Sequence, residues 1–580
     1  MNKVKSQKSK VKSRGILFFI AVIAILFTVH YSLFTVSHAY THDTSLIKWR
    51  KYSAQAFDEA QKENKPIFML ITAVWCYWCH VYEEKTLETK EVADYINSNY
   101  IPVFVDYDRR KDIASKYPAG GLPTTVILTP DGEEIVAVPG FIEKEQLLSN
   151  LQKTLAYIKK EFKPKEAEEA KDVYRERRNL TKEDLKKYSD HFERFIIDRY
   201  DTLFGGFGLR EKYIYGKTVD HLLDIYEASK DKKYLDMALK TLDNMAGRTQ
   251  KAAKTKRPSF DELKKLREDV KQPDWIGKIA KLQTDDKLVG LFDKVEGGFF
   301  RYATQRDWSV PHYEKMLDDQ ADIIKSYLHA FKITKDPFYK DAAKRSLEYV
   351  IKSLYDEKDS RFYGSQDADE VYYHFTLEER KKAALPRTDK TSYTHTNANM
   401  IITFLYAGDV LNDENYKKIG IKTLDFFLNN MMADNGVLSF YDPQKKKGFL
   451  DGQLEDNAWL ALAFMEGYKV TKEKRLMEKA DALIAFSLKS LYNEKEGGFI
   501  ERKSTSREFY REKELVSFRR TYNTNSIMSF LLINAHELTK NKEYLEKARE
   551  GFGLFYEDMN REFDSVSFQR AARYLLKNQK

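Results

Sequence analysis

A turn signature that recurs through the last two thirds of the chain constrains the fold more than any other feature. Short segments rich in Gly, Asp or Asn, each followed by an apolar residue, begin at positions 205, 297, 359, 435 and 497, at intervals of 92, 62, 76 and 62 residues. Each interval has room for two helices and their loops. Gly and Pro are otherwise sparse, with 25 and 13 in 580 residues, which favours helix over sheet. The pattern predicts about six helical hairpins in a closed α/α toroid, with an open solenoid as the alternative.

Composition excludes several classes of protein. The chain is 42% hydrophobic, which is enough to bury a large core and excludes disorder as its main state. Its 98 basic and 89 acidic residues are mixed throughout, and 6 units of the net charge of +9 come from the basic residues among the first 14 positions. No continuous basic surface of the kind that follows phosphates is predicted, so nucleic acid is not an expected partner.

The amino terminus carries a basic cluster followed by an uncharged apolar run over residues 16–36. About 20 such residues span the ~30 Å of a membrane's hydrocarbon layer, and the basic cluster favours the cytoplasmic side. Residues 1–39 are therefore predicted to be a cytoplasmic basic stretch and a membrane anchor, with the bulk of the chain extracytoplasmic, at the cell surface or in the periplasm. Cleavage after the small-x-small segment at 37–39, which would give a secreted protein, is the alternative.

The rest of the chain divides by its hydrophobic pattern. Residues 46–160 alternate short apolar runs with amphipathic segments, which predicts an α/β domain. Residues 161–186 are rich in charge and are interpreted as a linker, and residues 187–580 as the helical toroid. Within the toroid, residues 249–286 carry many charges but no turn signature, and are interpreted as an inserted charged helix or arm.

The only two cysteines, Cys76 and Cys79, lie where an apolar strand gives way to an amphipathic helix. Backbone N–H groups at a helix start stabilise an anion, so Cys76 is predicted to be the nucleophile and Cys79 the thiol that resolves a mixed disulfide. Pro123, just before a later strand, has the form of a cis-proline that would align a substrate beside Cys76. The side chains predicted to tune the thiolate are Trp75, Tyr77, Trp78 and His80.

The two cysteines have alternative uses. Two buried structural thiols are possible in principle, and Cys76, Cys79 and His80 also spell the CxxCH signature of c-type haem attachment. The strand before the motif, the helix after it and Pro123 are not required for haem. A zinc site lacks a nearby fourth ligand. Neither a metal nor another cofactor is therefore expected.

Several ordered motifs resemble the spermatogenesis-associated protein 20 family over residues 46 to the end. They are the segment 75–80 around the cysteines, the segments at 91–93 and 122–124, the stretch 301–317 with its Trp-Ser-Val-Pro-His-Tyr-Glu-Lys-Met-Leu run, and the segments at 363–369, 451–457 and 522–526. The resemblance implies a thioredoxin-like domain followed by an (α/α)6 toroid similar to those of N-acylglucosamine epimerases and six-hairpin glycosidases. The predicted fold class is thus an N-terminal membrane helix, an α/β thioredoxin-like domain and a large all-α toroid.

Three functional hypotheses follow. The first is an exported thiol:disulfide oxidoreductase whose toroid binds or positions a protein thiol or disulfide partner. The second is a carbohydrate-active toroid, glycosidase-like with paired carboxylates or epimerase-like with paired acid and base groups, and an accessory thioredoxin-like domain. The third is a binding module without turnover. The candidate toroid site consists of His312, Glu314, Asp318, Asp367, Asp369, His395 and Asp456.

Overall fold

The computed structural model describes residues 44–160, 178–248, 257–269, 274–285, 288–558, 563 and 566–578. Contacts divide the chain into Met1–Thr44, of which only Thr44 is described, and one compact unit over Ser45–Lys580. The boundaries predicted for the domains and for the linker stay predictions. Most of the linker, residues 161–177, lies outside the described residues.

A five-stranded mixed sheet forms the amino-terminal region. Its order is β1-β3-β2-β4-β5, with β2 parallel to β3 and antiparallel to β4. All six residues of β2 are buried, so this strand forms the centre of the sheet. The elements are β1 (Arg50–Lys51), α1 (Ala54–Glu63), β2 (Ile67–Thr72), α2 (Tyr77–Tyr82), α3 (Lys90–Asn99), β3 (Ile101–Asp106), α4 (Lys111–Ala114), β4 (Thr124–Leu128), β5 (Glu134–Pro139) and α5 (Lys144–Lys160).

Six helical hairpins form the second region and close into a ring. Each inner helix contacts the next, and the last contacts the first. The inner helices are α7 (Gly216–Ser229), α11 (Leu317–Thr334), α14 (Thr394–Leu411), α16 (Leu454–Thr471), α18 (Tyr522–Thr539) and α20 (Val566–Asn578). Their outer partners, in the same order, are α8 (Lys232–Met245), α12 (Pro337–Ser353), α15 (Glu414–Asn430), α17 (Lys474–Phe486), α19 (Lys542–Leu554) and α6 (Lys182–Arg199).

Burial separates the inner helices from the outer ones. In α16, 11 of 18 residues are buried, whereas in α15 only 6 of 17 are, because α15 presents one face to solvent. A helix that is buried on most sides needs neighbouring helices on those sides, which a closed or stacked arrangement of helices provides. The closed ring therefore agrees with the toroid that the recurring turns predict.

The turn at Gly297 is held by a buried acid and a buried base. Asp293 accepts backbone N–H bonds from Val295 and Glu296 at 2.9 and 3.4 Å, and Lys315 donates to Asp293 at 2.7 Å. Gly297 follows with a φ of +84°, and a Cβ there would lie 2.3 Å from the carbonyl oxygen of Arg345. Glycine is thus required by both conformation and space.

Short strands join the hairpins on the side of the ring that faces the mixed sheet. They are β6 (Lys212–Tyr213), β7 (Tyr302–Ala303), β8 (Pro311–His312), β9 (Lys315–Met316), β10 (Tyr355–Asp356), β11 (Arg361–Phe362), β12 (Ser365–Gln366), β13 (Thr388–Asp389), β14 (Ser392–Tyr393), β15 (Met432–Ala433), β16 (Gly436–Val437), β17 (Phe440–Asp442), β18 (Lys447–Phe449), β19 (Arg502–Lys503) and β20 (Val516–Ser517). A short helix, α13 (Leu377–Arg380), interrupts this series.

The charged insert is helical where it is described. It forms α9 (Phe260–Glu268) and α10 (Trp275–Asp285). Leu263 and Trp275 are fully buried, so the insert packs onto the protein through apolar side chains. Its charged composition alone does not predict this packing.

The prediction of an N-terminal membrane helix requires correction. Residues 16–36, on which it depended, lie outside the described residues. Within the described ranges, no helix has both the length and the apolar character to span a bilayer, since even buried helices such as α16 carry Glu455, Asp456 and Lys469. The supported fold class is a mostly helical protein with a toroid-like helical region and a thioredoxin-like region. Anchoring in a membrane by an amino-terminal helix, and the extracytoplasmic location deduced from it, are not supported.

Candidate functional site

The two cysteines meet at the start of α2. Strand β2 lies in the buried centre of the sheet, and the chain continues from its end to Cys76, the N-cap residue of this helix. Cys76 and Cys79 form a disulfide with their Cα atoms 5.2 Å apart. The backbone N–H of Cys79 points to Cys76 Sγ at 3.2 Å and would stabilise a negative charge on that sulfur after reduction.

The loop before β4 lies against the disulfide. The Leu122–Pro123 peptide bond is cis, as the position of Pro123 predicted. Leu122 packs against the cluster formed by the two cysteines and Trp75. This loop therefore forms one wall beside Cys76. Pro123 itself does not line the cavity there, but its neighbours Leu122 and Thr124 do.

Trp75 connects the disulfide to both regions of the protein. Its ring is 2% exposed, and its indole N–H donates to Asp108 Oδ2 at 2.6 Å. The guanidinium carbon of Arg301, from the helical region, lies 4.3 Å from the ring centroid. Removal from water, together with the charges of Asp106 and Asp389, raises the pKa of Asp108 to about 8, so this carboxyl is mostly protonated at neutral pH.

His80 joins the cysteine helix to a predicted toroid residue. Its Nε2 atom lies 2.9 Å from the carbonyl oxygen of Val74 and 3.1 Å from Asp367 Oδ2. Burial opposes protonation of the imidazole, but the charge of Asp367 outweighs burial and raises the pKa of His80. Burial in turn raises the pKa of Asp367, so the pair shares a proton tightly and we assign it to His80. His80 thus fixes the orientation of α2 against the ring.

Tyr77 and Trp78 point in different directions from the same turn. The Tyr77 ring lies 5.4 Å from that of Trp275, the anchor of the charged insert, and 6.0 Å from that of Trp78. Burial and the nearby charges of Glu370 and Asp369 raise the pKa of Tyr77 well above its ordinary range. Trp78 instead lines the space in front of Cys76.

A cavity of about 450 Å³ opens in front of Cys76. The thioredoxin-like region contributes Cys76, Trp78 and the loop ending at Leu122, and the helical region contributes the opposite wall. Cys76 is only 5% exposed, so this cavity is its route to solvent. The residues that close the cavity from the helical region are Tyr213, Arg301, Tyr302, His312 and Glu314.

The buried side chain of Glu314 pairs with the partly exposed His312 in this wall. His312 Nδ1 lies 3.7 Å from Glu314 Oε1, and the imidazole stacks on Tyr302 at 4.3 Å. Burial opposes the charged form of Glu314, but His312 and Arg301 outweigh it and lower its pKa, so the carboxylate is ionised at neutral pH. Glu314 accordingly raises the pKa of His312. Within the described part of the chain, Glu314 Oε2 is a buried oxygen with no hydrogen-bond partner.

The remaining predicted residues do not join this cavity. Asp369 pairs with Arg267 at 2.6 Å and accepts the backbone N–H of Val371 and Tyr372, and Asp318 is exposed at the start of α11. The seven predicted toroid residues therefore do not form a single site.

A second cavity, of about 380 Å³, holds two of the predicted residues at the mouth of the ring. His395 Nδ1 lies 3.3 Å from Asp456 Oδ1, and Lys111 of α4 reaches Glu455 at 3.2 Å. The thioredoxin-like region therefore contributes residues to both cavities.

Three residues around the cysteine pair were not predicted from the sequence. Arg301 lines the cavity beside Cys76, whereas the acids Asp108 and Glu370 do not. Arg301 lies inside the motif over residues 301–317, but the motif does not indicate a role for it. Asp108 follows the end of β3 by two residues, where polar residues commonly reach a functional edge. Glu370 is 5% exposed, and burial raises its pKa to about 8. Only its place beside Asp369 in a quoted motif could have drawn attention to it.

One group among the described residues has the donors for a metal ion. Asp224, Glu227 and His329 bring their ligand atoms within 4.8 Å of one another. Arg570 pairs with Asp224 at 2.8 Å, and Lys332 lies 3.8 Å from Glu227. These cations already compensate the carboxylates, so the cluster reads as an ion-pair network.

Comparison with known proteins agrees with this architecture. The family model Thioredox_DsbH, described as "Protein of unknown function, DUF255", matches residues 32–183. Over 105 residues, 17% of this chain and 18% of the relative, the sequence is 30% identical to the thiol:disulfide interchange protein DsbD of Yersinia pestis (strain Pestoides F). The crystal structure of a sugar epimerase from a ruminal bacterium covers 69% of this chain and 100% of its own, at 12% identity and a TM-score of 0.50, which supports the toroid fold alone.

The chain is also similar to the spermatogenesis-associated protein 20 of Mus musculus, with 28% identity over 377 residues. The match covers 60% of this chain but only 43% of the mouse protein. The human protein of the same name is 27% identical and is likewise covered over 43% of its length. The resemblance identified from the motifs is therefore confirmed: homologues of this chain are named spermatogenesis-associated protein 20.

Proposed function

We propose that the protein carries out thiol–disulfide exchange at Cys76 and Cys79, with the helical ring supplying one wall of the substrate cavity. The observation that carries the proposal is that Cys76 lines the same cavity as Arg301, His312 and Glu314. The match of residues 32–183 to a thioredoxin-type family supports the chemistry, and the likeness to an interchange protein over 105 residues supports it further.

The proposed reaction starts from the reduced pair. The Cys76 thiolate attacks one sulfur of a substrate disulfide, the substrate S–S bond breaks, and one substrate thiolate leaves. Cys79 then attacks Cys76 Sγ, forms the intramolecular disulfide and releases the second substrate thiolate. Two protein thiols are oxidised, one substrate disulfide is reduced, and the two protons of the protein thiols pass to the two products. The reverse sequence oxidises a dithiol.

The surroundings of Cys76 support this order of attack. Cys76 has a face on the cavity, whereas Cys79 is fully buried behind it. The N–H of Cys79 lies 3.2 Å from Cys76 Sγ and favours the thiolate there. The buried pair of His80 and Asp367 holds α2 against the ring, so the attacking sulfur keeps its place relative to the opposite wall.

Single-turnover kinetics test the proposal. The reduced full-length protein is mixed with 2-hydroxyethyl disulfide, and tryptophan emission from Trp75 and Trp78 reports formation of the protein disulfide. We expect a concentration-dependent oxidation in the native protein, and a loss of at least about a hundredfold in Cys76→Ser because the attacking sulfur is gone. Glu357→Gln, at an exposed turn, is the matched control and should react like the native protein.

Retention of the rate in Cys76→Ser would contradict the proposal. So would a native protein that does not oxidise under these conditions, which would favour a binding module without turnover.

The carbohydrate-active alternative has a specific observation of its own. His395 and Asp456 form a hydrogen-bonded pair in the second cavity, beside Glu455, and this is the kind of arrangement that acid–base chemistry on a sugar requires. Under this alternative, sugar turnover would be lost in His395→Gln and kept in Cys76→Ser. Screening both variants against reducing disaccharides distinguishes the two proposals.

A further inference from the structure

We propose that the cavity in front of Cys76 selects a small disulfide or thiol that carries an α-amino-acid group, with Glu314 receiving its ammonium and Arg301 its carboxylate. The inference rests on the proposed exchange function and names its substrate class. Cystine, the disulfide of two cysteines, is the simplest member of this class.

The dimensions of the cavity favour a small substrate. Pockets for small molecules usually measure ~300 to 1,000 Å³, and this one measures about 450 Å³. Cys76 is 5% exposed and Cys79 is fully buried, so a disulfide embedded in a folded protein cannot reach the sulfur without rearrangement of the walls. A small disulfide, or one half of it, fits without such a rearrangement.

Glu314 supplies a site for a cation. The side chain is buried in the cavity wall, and its Oε1 atom faces His312 at 3.7 Å. Its Oε2 atom accepts no hydrogen bond from any described residue. A buried carboxylate oxygen left without a donor is costly, and an ammonium group in the cavity would supply that donor.

Arg301 supplies a site for an anion. Its guanidinium lies on the Trp75 ring at 4.3 Å, and it lines the cavity. A guanidinium placed over an aromatic ring can still bind a carboxylate with two parallel hydrogen bonds along the edge of its planar fork. Trp75 directly precedes Cys76, so a carboxylate on Arg301 belongs to a substrate whose sulfur lies near Cys76.

The balance of charge favours a substrate with both groups. Burial opposes protonation of His312, but Glu314 outweighs it and raises the pKa of His312. The acids Glu370 and Asp108 do not line the cavity, and removal from water raises the pKa of each to about 8, so both are mostly neutral. The wall therefore presents Arg301 and protonated His312 against one carboxylate, Glu314. A purely cationic disulfide would be repelled by this wall, and a purely anionic one would leave Glu314 without a donor.

The proposed exchange with cystine is balanced without a further reactant. The Cys76 thiolate attacks one cystine sulfur and one cysteine leaves as its thiolate. Cys79 then attacks Cys76 Sγ and releases the second cysteine. Two protein thiols become a disulfide, one cystine becomes two cysteines, and two protons pass from protein to products.

Four small disulfides that carry different charged groups test the inference. The reduced full-length protein is mixed in single-turnover experiments with cystine, cystamine, 3,3′-dithiodipropionate and neutral 2-hydroxyethyl disulfide. Each second-order rate constant is divided by that for reaction of the same disulfide with free dithiothreitol, which removes intrinsic reactivity. We expect the normalised rate for cystine to exceed those for the other three by at least about tenfold.

Variants assign the preference to its residues. In Glu314→Gln the ratio of the cystine rate to the dithiodipropionate rate should fall about tenfold, and in Arg301→Gln the ratio of the cystine rate to the cystamine rate should fall similarly. Glu357→Gln, which is exposed and away from the cavity, should keep both ratios.

The inference and the proposed function fail in different ways. Equal normalised rates for all four disulfides, or ratios that the two variants leave unchanged, would overturn the inference and leave exchange at Cys76 standing. Absence of Cys76-dependent reaction with every disulfide, the neutral one included, would overturn both.

Discussion

At the scale of single residues, Asp108 is a partly buried acid whose ionisation bears directly on the surroundings of the disulfide. Its carboxyl accepts the Trp75 indole N–H at 2.6 Å, and its pKa is raised to about 8 by removal from water and by the charges of Asp106 and Asp389. A raised pKa in an acid means that the folded protein holds a proton that the unfolded chain releases. This group therefore makes the protein less stable as pH rises from about 4 to about 8.

Replacement of Asp108 by Asn should remove that pH dependence. The amide can still accept the indole hydrogen bond and carries no charge, so we expect Asp108→Asn to gain stability over the native protein as pH rises through this range. Urea unfolding at about pH 5 and about pH 8 measures the difference. Asp58→Asn, on the exposed face of α1, is the control. A stability difference for Asp108→Asn that does not grow with pH would contradict this assignment.

The residues at the disulfide divide into those that local sequence could predict and those that it could not. Cys76, Cys79 and Pro123 were predictable because spacing and the strand-to-helix transition are local features. Arg301 and Glu314 were not predictable as partners of Cys76, because more than 200 residues separate them from it and only the folded ring brings them to the cavity. Glu314 was predicted from its motif, but as a residue of a carbohydrate site.

At the scale of elements, the turn that ends one hairpin and begins the next depends on a buried ion cluster. Asp293 receives Lys315 at 2.7 Å and Arg380 at 2.6 Å, and all three side chains are almost fully buried. Burial opposes the charge of Asp293, but the two cations outweigh it and lower its pKa to about 2. An acid with a lowered pKa contributes stability above pH 3.8, and that contribution is lost as pH falls towards about 2.

Asp293→Asn should therefore be strongly destabilising. It leaves Lys315 buried without its carboxylate partner and Arg380 with Glu296 alone, and breaking a buried ion pair in this way costs about 3 to 5 kcal/mol. The free energy of unfolding from urea titration is the measurement. Asp434→Asn is the matched control, because Asp434 occupies a corresponding turn but is exposed. Equal effects of the two substitutions would show that the buried cluster does not hold the turn.

Helix and turn periodicity predicted the elements better than their ends. The strand predicted just after Pro123 is β4 over Thr124–Leu128. The amphipathic helix predicted after the cysteines is divided into α2, a π-helical turn over Glu83–Leu87 and α3. Amphipathic spacing continues through this break, because the extra residue of the π turn shifts the register without exposing the apolar face.

At the scale of the whole molecule, contacts between the thioredoxin-like and helical regions form around Glu514. This side chain is 6% exposed and receives Tyr52 at 2.7 Å and Lys116 at 2.8 Å, both from the thioredoxin-like region. Arg511 donates to the same oxygen at 2.7 Å. Burial opposes the charge of Glu514, but Arg511 and Lys116 outweigh it and hold its pKa well below the usual range.

Glu514→Gln should weaken the contact between the two regions. The neutral amide leaves Lys116 and Arg511 less compensated, so we expect the free energy of unfolding to fall by about 2 to 3 kcal/mol and limited proteolysis to become faster. Glu512→Gln, on the same turn but exposed, is the control and should change neither quantity. Equal proteolysis of both variants and the native protein would exclude Glu514 as a fixed point of the contact.

The relation between the two regions could not be predicted from sequence. Helical hairpins and the α/β pattern follow from periodicity, but the face on which they meet is determined by isolated pairs such as Arg109 with Asp442 at 3.2 Å and Arg502 with Asp112 at 3.1 Å. Such pairs join residues hundreds of positions apart and have no signature along the chain. The cavity beside Cys76 exists only because this contact forms.

Trapping of a mixed disulfide tests the central claim most directly. The reduced Cys79→Ser protein, which cannot resolve the intermediate, is incubated with a small disulfide and examined by intact-protein and peptide mass spectrometry. The account predicts one substrate thiol attached to the folded protein at Cys76, removable by dithiothreitol. A Cys76 that stays unmodified in the folded protein and reacts only after denaturation would contradict it.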